Sequence, residues 1–290
     1  MYWSVCIFAH NEERLLPRCL AALEDAACGL RLQTHIMVNG ATDGTAKAAN
    51  AFAAVDRRVH VHETPVGDKA GAWNDYLYRF AGDADMHVFI DADITPAPGS
   101  IPALAAAFEA NPLAYAAAAL PGSGRNRRAW SRRLLARQYL SGNLYALSRK
   151  GFDAVRERDI RLPFGAKGED GILSYLMHTN LKGGYDDGHK DRIAVAPGAL
   201  FYFDSLGLNA RDLKIYYRRL KRYSERHYQK QILYRVLKSR GTAAMPENIY
   251  DIYTEDRLAA LEPRRDPVNY WVDRAMLKTL KSGALRRAPA

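Results

Sequence analysis

The sequence predicts an α/β fold built on a doubly wound, mostly parallel sheet with helices on both faces. Three observations predict it. Four short apolar and β-branched runs fall within the first hundred residues, at Trp3 to Phe8, His35 to Asn39, Arg58 to His62 and Met86 to Ile90. Stretches with helical spacing separate them, and polar, turn-forming segments follow them. Alternation of this kind favours right-handed crossovers that lay successive strands parallel, with a ligand crevice beyond their carboxyl ends.

The first run passes into Ala9-His10-Asn11-Glu12-Glu13, after which Leu15, Leu16, Cys19, Leu20 and Leu23 recur at three and four residues, as on an amphipathic helix. The second ends in Asn39-Gly40-Ala41-Thr42-Asp43-Gly44-Thr45. The third leads to Gly67-Asp68-Lys69-Ala70-Gly71, followed by Trp73, Leu77 and Phe80 at helical spacing. The fourth ends in Asp91-Ala92-Asp93. Four strand ends therefore converge on one cleft. Two carboxylates crowded at a strand end suit a hard cation, and Mg²⁺ or Mn²⁺ takes one or two protein carboxylates, filling its other positions with water and substrate phosphate. Asp91 and Asp93 are the candidate metal ligands; an Asp-X-Asp also occurs by chance in a chain of this length.

Composition bounds the alternatives. With 290 residues, 48% hydrophobic and 26% charged, the chain is long enough for a sizeable core, which excludes disordered and fibrous classes. The longest apolar run, Leu113 to Leu120, is too short to cross a bilayer. No basic, apolar and small-residue leader opens the chain, so a cytoplasmic location is expected. Cys6, Cys19 and Cys28 read as reduced core thiols rather than a disulfide framework. The net charge of +10 is local: residues 201–290 carry 19 Lys and Arg against 10 acids, and RNRRAWSRRLLAR at 125–137 adds six arginines and no acid. Clustered cations point to a polyanionic partner or to a solvated face.

These residues carry a family resemblance. VCIFAHNEERLLPRCLAAL resembles the opening of family 2 glycosyltransferases, VNGATDGT their second loop, KAGAWNDYL their Lys-Gly segment and VFIDADI their Asp-X-Asp strand. Further on, SGNLYALSRKGF resembles their acceptor-side strand, and KGEDGILSYL the helix start that carries their catalytic base. The resemblance runs over about residues 3 to 180. It implies a GT-A-like fold, a nucleotide-diphosphate-sugar donor and inverting transfer to an acceptor hydroxyl, as in polysaccharide or glycolipid synthesis. It further implies Asp93 on the metal, Asp91 beside it on the ribose or a metal-bound water, and Ala92 between them. Ala9, His10, Asn11 and Glu12 are expected against base and ribose, and Lys69 at the base edge or a phosphate. Asp170 is the expected base, with Glu169 orienting it or meeting the acceptor, although both also suit an acidic first turn opposing a helix dipole. Where many relatives have two acids in the second loop, this chain has Val38-Asn39; a UDP-sugar is the expected donor.

Residues 1–205 are thus expected to form the catalytic domain, with donor binding at 1–95 and the acceptor side at 96–205, and 206–290 a basic helical extension. In the extension Leu213, Tyr216, Leu220, Tyr223 and His227 repeat at helical spacing among arginines and lysines, predicting one long amphipathic helix over 209–238. It can cap the site with an arginine on the diphosphate, lie on the inner face of a membrane near a lipid-linked glycan acceptor, or pack on the core. No nucleic-acid partner is expected, and the oligomeric state is not legible. Competing readings are a non-catalytic polyanion- or membrane-binding module and a sugar nucleotidyltransferase; HNEER lacks the glycines of a triphosphate loop.

Overall fold

The computed structural model describes residues 2–207 and 209–283; Leu208 and the last part of the expected extension, 284–290, lie outside the described residues. The strands are β1 (Trp3–Ala9), β2 (Leu32–Asn39), β3 (Val59–Thr64), β4 (Met86–Asp91), β5 (Ile94–Pro96), β6 (Ala116–Pro121), β7 (Leu144–Ser148) and β8 (Ile193–Phe203). They form one sheet in the order β3-β2-β1-β4-β7-β6-β8-β5. The first four run parallel, β7 is antiparallel to both β4 and β6, β6 and β8 are parallel, and β5 is antiparallel to β8.

Around the sheet lie α1 (Leu16–Ala21), α2 (Leu23–Ala26), α3 (Thr45–Val55), α4 (Lys69–Asp75), α5 (Ser100–Ala110), α6 (Arg127–Arg137), α7 (Arg149–Glu157), α8 (Glu169–His178), α9 (Ala210–Arg240), α10 (Glu255–Ala259) and α11 (Pro267–Lys281). The apolar character of β1, broken only by the buried Ser4, follows from burial on both faces. Its Trp3, Val5, Ile7 and Ala9 join the core under α1, α2, α3 and α5, while Cys6 and Phe8 join the core formed with α4, α7, α8 and α9. Each large side chain removed from water there contributes roughly 1.5–3 kcal/mol. Cys6 and Cys19 are buried as expected, but Cys28 is exposed in a left-handed turn.

α9 departs from the sequence reading in its burial. Its inner face starts only at Ser224 and continues through Glu225, Tyr228, Gln229, Ile232, Leu233 and Leu237. Leu213, Tyr216 and Tyr223, read as the apolar face, are about half exposed at 53%, 51% and 46%. The first turns project past the domain, and packing begins where small and polar side chains meet the loop before α8. No helix among the described residues is long and apolar enough to cross a membrane.

Candidate active site

The loops after β1 and β2 interlock through side-chain-to-backbone hydrogen bonds, and the second of them closes on the loop after β3. Asn11 adopts φ 59°, and its Oδ1 accepts from the Thr42 N–H at 2.7 Å. The Glu12 N–H donates to Thr45 Oγ1 at 2.7 Å, and Glu13 Oε2 accepts from the Gly44 N–H at 2.9 Å. His10 Nδ1 lies 2.7 Å from the Asn39 carbonyl oxygen, which fixes the ring over the second loop. The Asn39 amide is buried and donates to the carbonyls of Ala9 and Met37, both at 3.3 Å, so its N–H groups pin β1 to β2. Gly40, at φ +57°, meets Gly67 so closely that an added Cβ would stand 2.2 Å from the Gly67 nitrogen. Only a residue without a side chain permits that approach.

The Asp91-Ala92-Asp93 turn is anchored on both sides: the Asp91 N–H donates to the Asn143 carbonyl and the Ala92 N–H to that of Phe8, each at 3.0 Å. Lys69, in the first turn of α4, brings its Nζ to 2.5 Å from Asp91 Oδ1 and 2.5 Å from Glu169 Oε1, and donates to the Gly142 carbonyl at 3.1 Å. The lysine thus joins the two sides of the cleft, with its ammonium at the buried end of the expected donor loops. Burial, reinforced by the Asp93 and Glu169 carboxylates, pushes the Asp91 carboxyl up against the pull of Lys69.

Asp170 stands beside Glu169 in the first turn of α8. Its Oδ1 accepts from Arg226 of α9 at 2.8 Å. Arg226 passes over Gly168, where φ is +81° and an added Cβ would lie 2.1 Å from the Arg226 Nε. One α9 stripe, Arg226, Lys230 and Tyr234, covers this turn, and the Tyr234 hydroxyl donates to the Gly171 carbonyl at 2.6 Å. Behind it, Gln229 Oε1 accepts from the Lys167 N–H at 2.7 Å. Asp68 caps α4 through the Gly71 N–H at 2.9 Å and accepts from the Gly165 N–H at 3.2 Å, tying α4 to the approach of α8. Asp68, Arg226 and Gln229 were not singled out from the sequence as site residues. The four-residue spacing of Arg226, Lys230 and Tyr234 is the one local signal that could have marked the stripe.

The cleft carries excess negative charge. Burial first, then the carboxylates of Asp93, Asp43 and Asp91, push Glu12 up to about 7, with Arg219 of α9 pulling the other way. Asp93 Oδ1 is buried and makes no hydrogen bond. A buried carboxylate oxygen without a donor is costly, and a divalent cation would satisfy it. The residues present therefore fit Mg²⁺ or Mn²⁺. No cluster of three or more His, Cys, Asp or Glu side chains among the described residues forms a metal cage, which suits a cation that draws its other ligands from water and phosphate. His189 lies in a loop, its Nε2 3.1 Å from Asp186 Oδ2.

The family model described as Glycosyl transferase family 2 matches residues 4–168. Among solved structures, a mannosyltransferase from Pyrobaculum calidifontis in complex with GDP-Man and Mn²⁺ is similar at 17% identity and a TM-score of 0.59, over 99% of this chain and 76% of that one. Glucosyl-3-phosphoglycerate synthase from Mycobacterium tuberculosis, in complex with Mn²⁺, UDP and phosphoglyceric acid, is similar at 24% identity and a TM-score of 0.51, over 76% of this chain and 78% of that one. No curated protein matches the chain.

Proposed function

The chain belongs to glycosyl transferase family 2, a nucleotide-sugar glycosyltransferase with the GT-A fold, and we propose that it transfers a sugar with inversion from a nucleotide-diphosphate donor to an acceptor hydroxyl. The buried, donorless Asp93 Oδ1 at the meeting point of the strand-end loops carries this reading. Asp93, with Asp91, would hold Mg²⁺ or Mn²⁺, which when bound neutralises charge developing on the departing diphosphate. Ala9, His10, Asn11, Glu12 and Asn39 form the wall for base and ribose, with a UDP-sugar the first donor to test. Ala92 keeps the backbone turn between the two aspartates.

Asp170 is the proposed base. Arg226 fixes its Oδ1, leaving Oδ2 to take the proton from the acceptor hydroxyl as that oxygen attacks the anomeric carbon. Glu169, drawn back by Lys69, positions the turn rather than reaching the acceptor. In this reading residues 1–95 bind the donor, 96–205 form the acceptor side and 206–290 are an extension whose helix α9 braces the catalytic turn. The acceptor is a glycan or lipid-linked glycan. Exposed Leu213, Tyr216, Tyr217 and Tyr223, beside Lys214, Arg218, Lys221 and Arg222, support peripheral contact with an anionic lipid surface.

A screen of UDP-, GDP-, CDP- and TDP-sugars, scoring nucleotide release with and without Mn²⁺, tests the reading. At least one donor should be turned over only with the ion. Ion-independent turnover would remove the metal from the reading, and no turnover with any donor would favour a polyanion-binding module.

A further inference from the structure

The cleft of the proposed transferase accounts for the carboxylates but not for the arginines of residues 125–137. α6 packs inward through Leu134 and through Trp130, whose ring meets Phe201 and Phe203 of β8. Beside that anchor, Arg127, Arg128, Ser131 and Arg132 share a face and line an open cavity of about 700 Å³, closed below by Gly122 and Leu200. None of the six arginines in this stretch forms an ion pair among the described residues, whereas Arg18, Arg149, Arg226 and Arg264 each meet a carboxylate. The first turn of α6 has no acidic residue and no side-chain cap. Three unneutralised guanidinium groups around one cavity repel each other, and an external anion relieves that repulsion.

The cavity lies on the reaction side of the sheet. β5 begins one residue after Asp93, with Ile94 opposite Phe203 and Thr95 opposite Tyr202, and on the other edge of β8 Phe201 faces Pro121. The cavity floor, on β8 and the end of β6, is therefore one to two strand spacings, about 5–10 Å, from the strand that follows Asp93. The helix also leads to the Gly142 turn, which touches Glu169 and Asp170.

We propose that this cavity is an acceptor subsite that binds a phosphate group carried by the acceptor, held by the forks of Arg127, Arg128 and Arg132. The assignment deepens the transferase reading and rests on it: the phosphate would seat on α6 while a hydroxyl of the same molecule reaches toward Asp170. Planar guanidinium groups suit phosphate oxygens by bidentate hydrogen bonding.

The test is calorimetric titration of the full chain with sn-glycerol 3-phosphate and, in a second arm, flotation with phosphatidylcholine vesicles containing phosphatidic acid. The Arg128→Glu/Arg132→Glu variant should weaken binding at least about tenfold, while Arg133→Glu/Arg137→Glu, with the same change in net charge on another face, should bind as the wild type does. Thermal melting checks that both variants are folded. Binding in the soluble arm assigns a small phosphorylated acceptor, and binding only to vesicles assigns a lipid phosphate. Equal binding by all three proteins, or binding in neither arm, overturns the proposal. UDP titrated with Mn²⁺ into the same proteins reports separately on the donor cleft: wild type without nucleotide binding strikes the transferase reading, and Arg128→Glu/Arg132→Glu should retain that binding.

Discussion

The donor wall, made by the loops after β1, β2 and β4, is held by short side chains of those same loops, Asn11, Glu13, Asn39 and Thr45, which bond backbone groups of the neighbouring strand end. The opposite wall, the first turn of α8, is held by side chains arriving from α4 and α9: Lys69 on Glu169 and Arg226 on Asp170. The difference teaches that one wall comes with the parallel sheet itself, while the other depends on a few distant side chains. Substitutions behind the second wall should therefore move chemistry and stability while leaving nucleotide binding intact.

Asp170→Asn gives the largest expected effect. It keeps shape and removes the proton acceptor, so transfer should fall by about 100- to 10,000-fold with donor affinity unchanged. Single-turnover assays beside nucleotide titration check this; a parallel loss of both would mean that the walls are not separable. Lys69→Met leaves Asp91 and Glu169, one on each wall, without their shared cation. Urea unfolding should show a loss of roughly 3 kcal/mol, with part regained on adding Mn²⁺. Unchanged stability would show that the lysine spans the cleft without supporting it.

Gly168→Ala sharpens the comparison at the second wall. At φ +81° and with Arg226 in its path, the added methyl should cost about 2 kcal/mol and displace the guanidinium from Asp170, lowering kcat more than it raises KM. A KM effect alone would place Arg226 outside the chemistry. The smallest expected effect lies under the first wall. Burial, then His62 and His60, hold His35 down to about 4, and burial and Arg149 hold His87 down to about 3. Both rings are neutral in the folded chain where unfolded histidine, near ~6.5, takes a proton. The unfolded state then binds more protons, so this stability is full above about pH 6.5 and is lost as pH falls toward 4. The melting temperature should decline through that window, and His35→Gln should flatten the decline; an unaltered slope would remove His35 from the account.

The same contrast governs how much was legible in the sequence. β1 to β4 and the positions of their loops were readable because each run is buried, or in β3 half-buried, and is followed by turn residues. Glu169 and Asp170 were readable as a pair at a helix start, but the partners of each were not: Lys69 and Arg226 come from 100 and 56 residues away, and pattern reading over a local window does not reach them. α9 was found and its packing misread for a related reason. Its inner face begins with Ser224 and Glu225 and continues with Gln229, whose amide bonds the backbone of Gly165 and Lys167, while the aromatic residues of its first turns face solvent. Hydrophobic periodicity finds apolar faces, and here the face that matters is partly polar.

The central claim is that Asp93 and Asp91 hold a divalent cation against a nucleotide diphosphate, and calorimetry of UDP binding with and without Mn²⁺, on the wild type and Asp93→Ala, tests it most directly. The account predicts ion-dependent binding in the wild type and a loss of at least about a hundredfold in the variant. Equal affinity in both proteins, or binding indifferent to the ion, would contradict it.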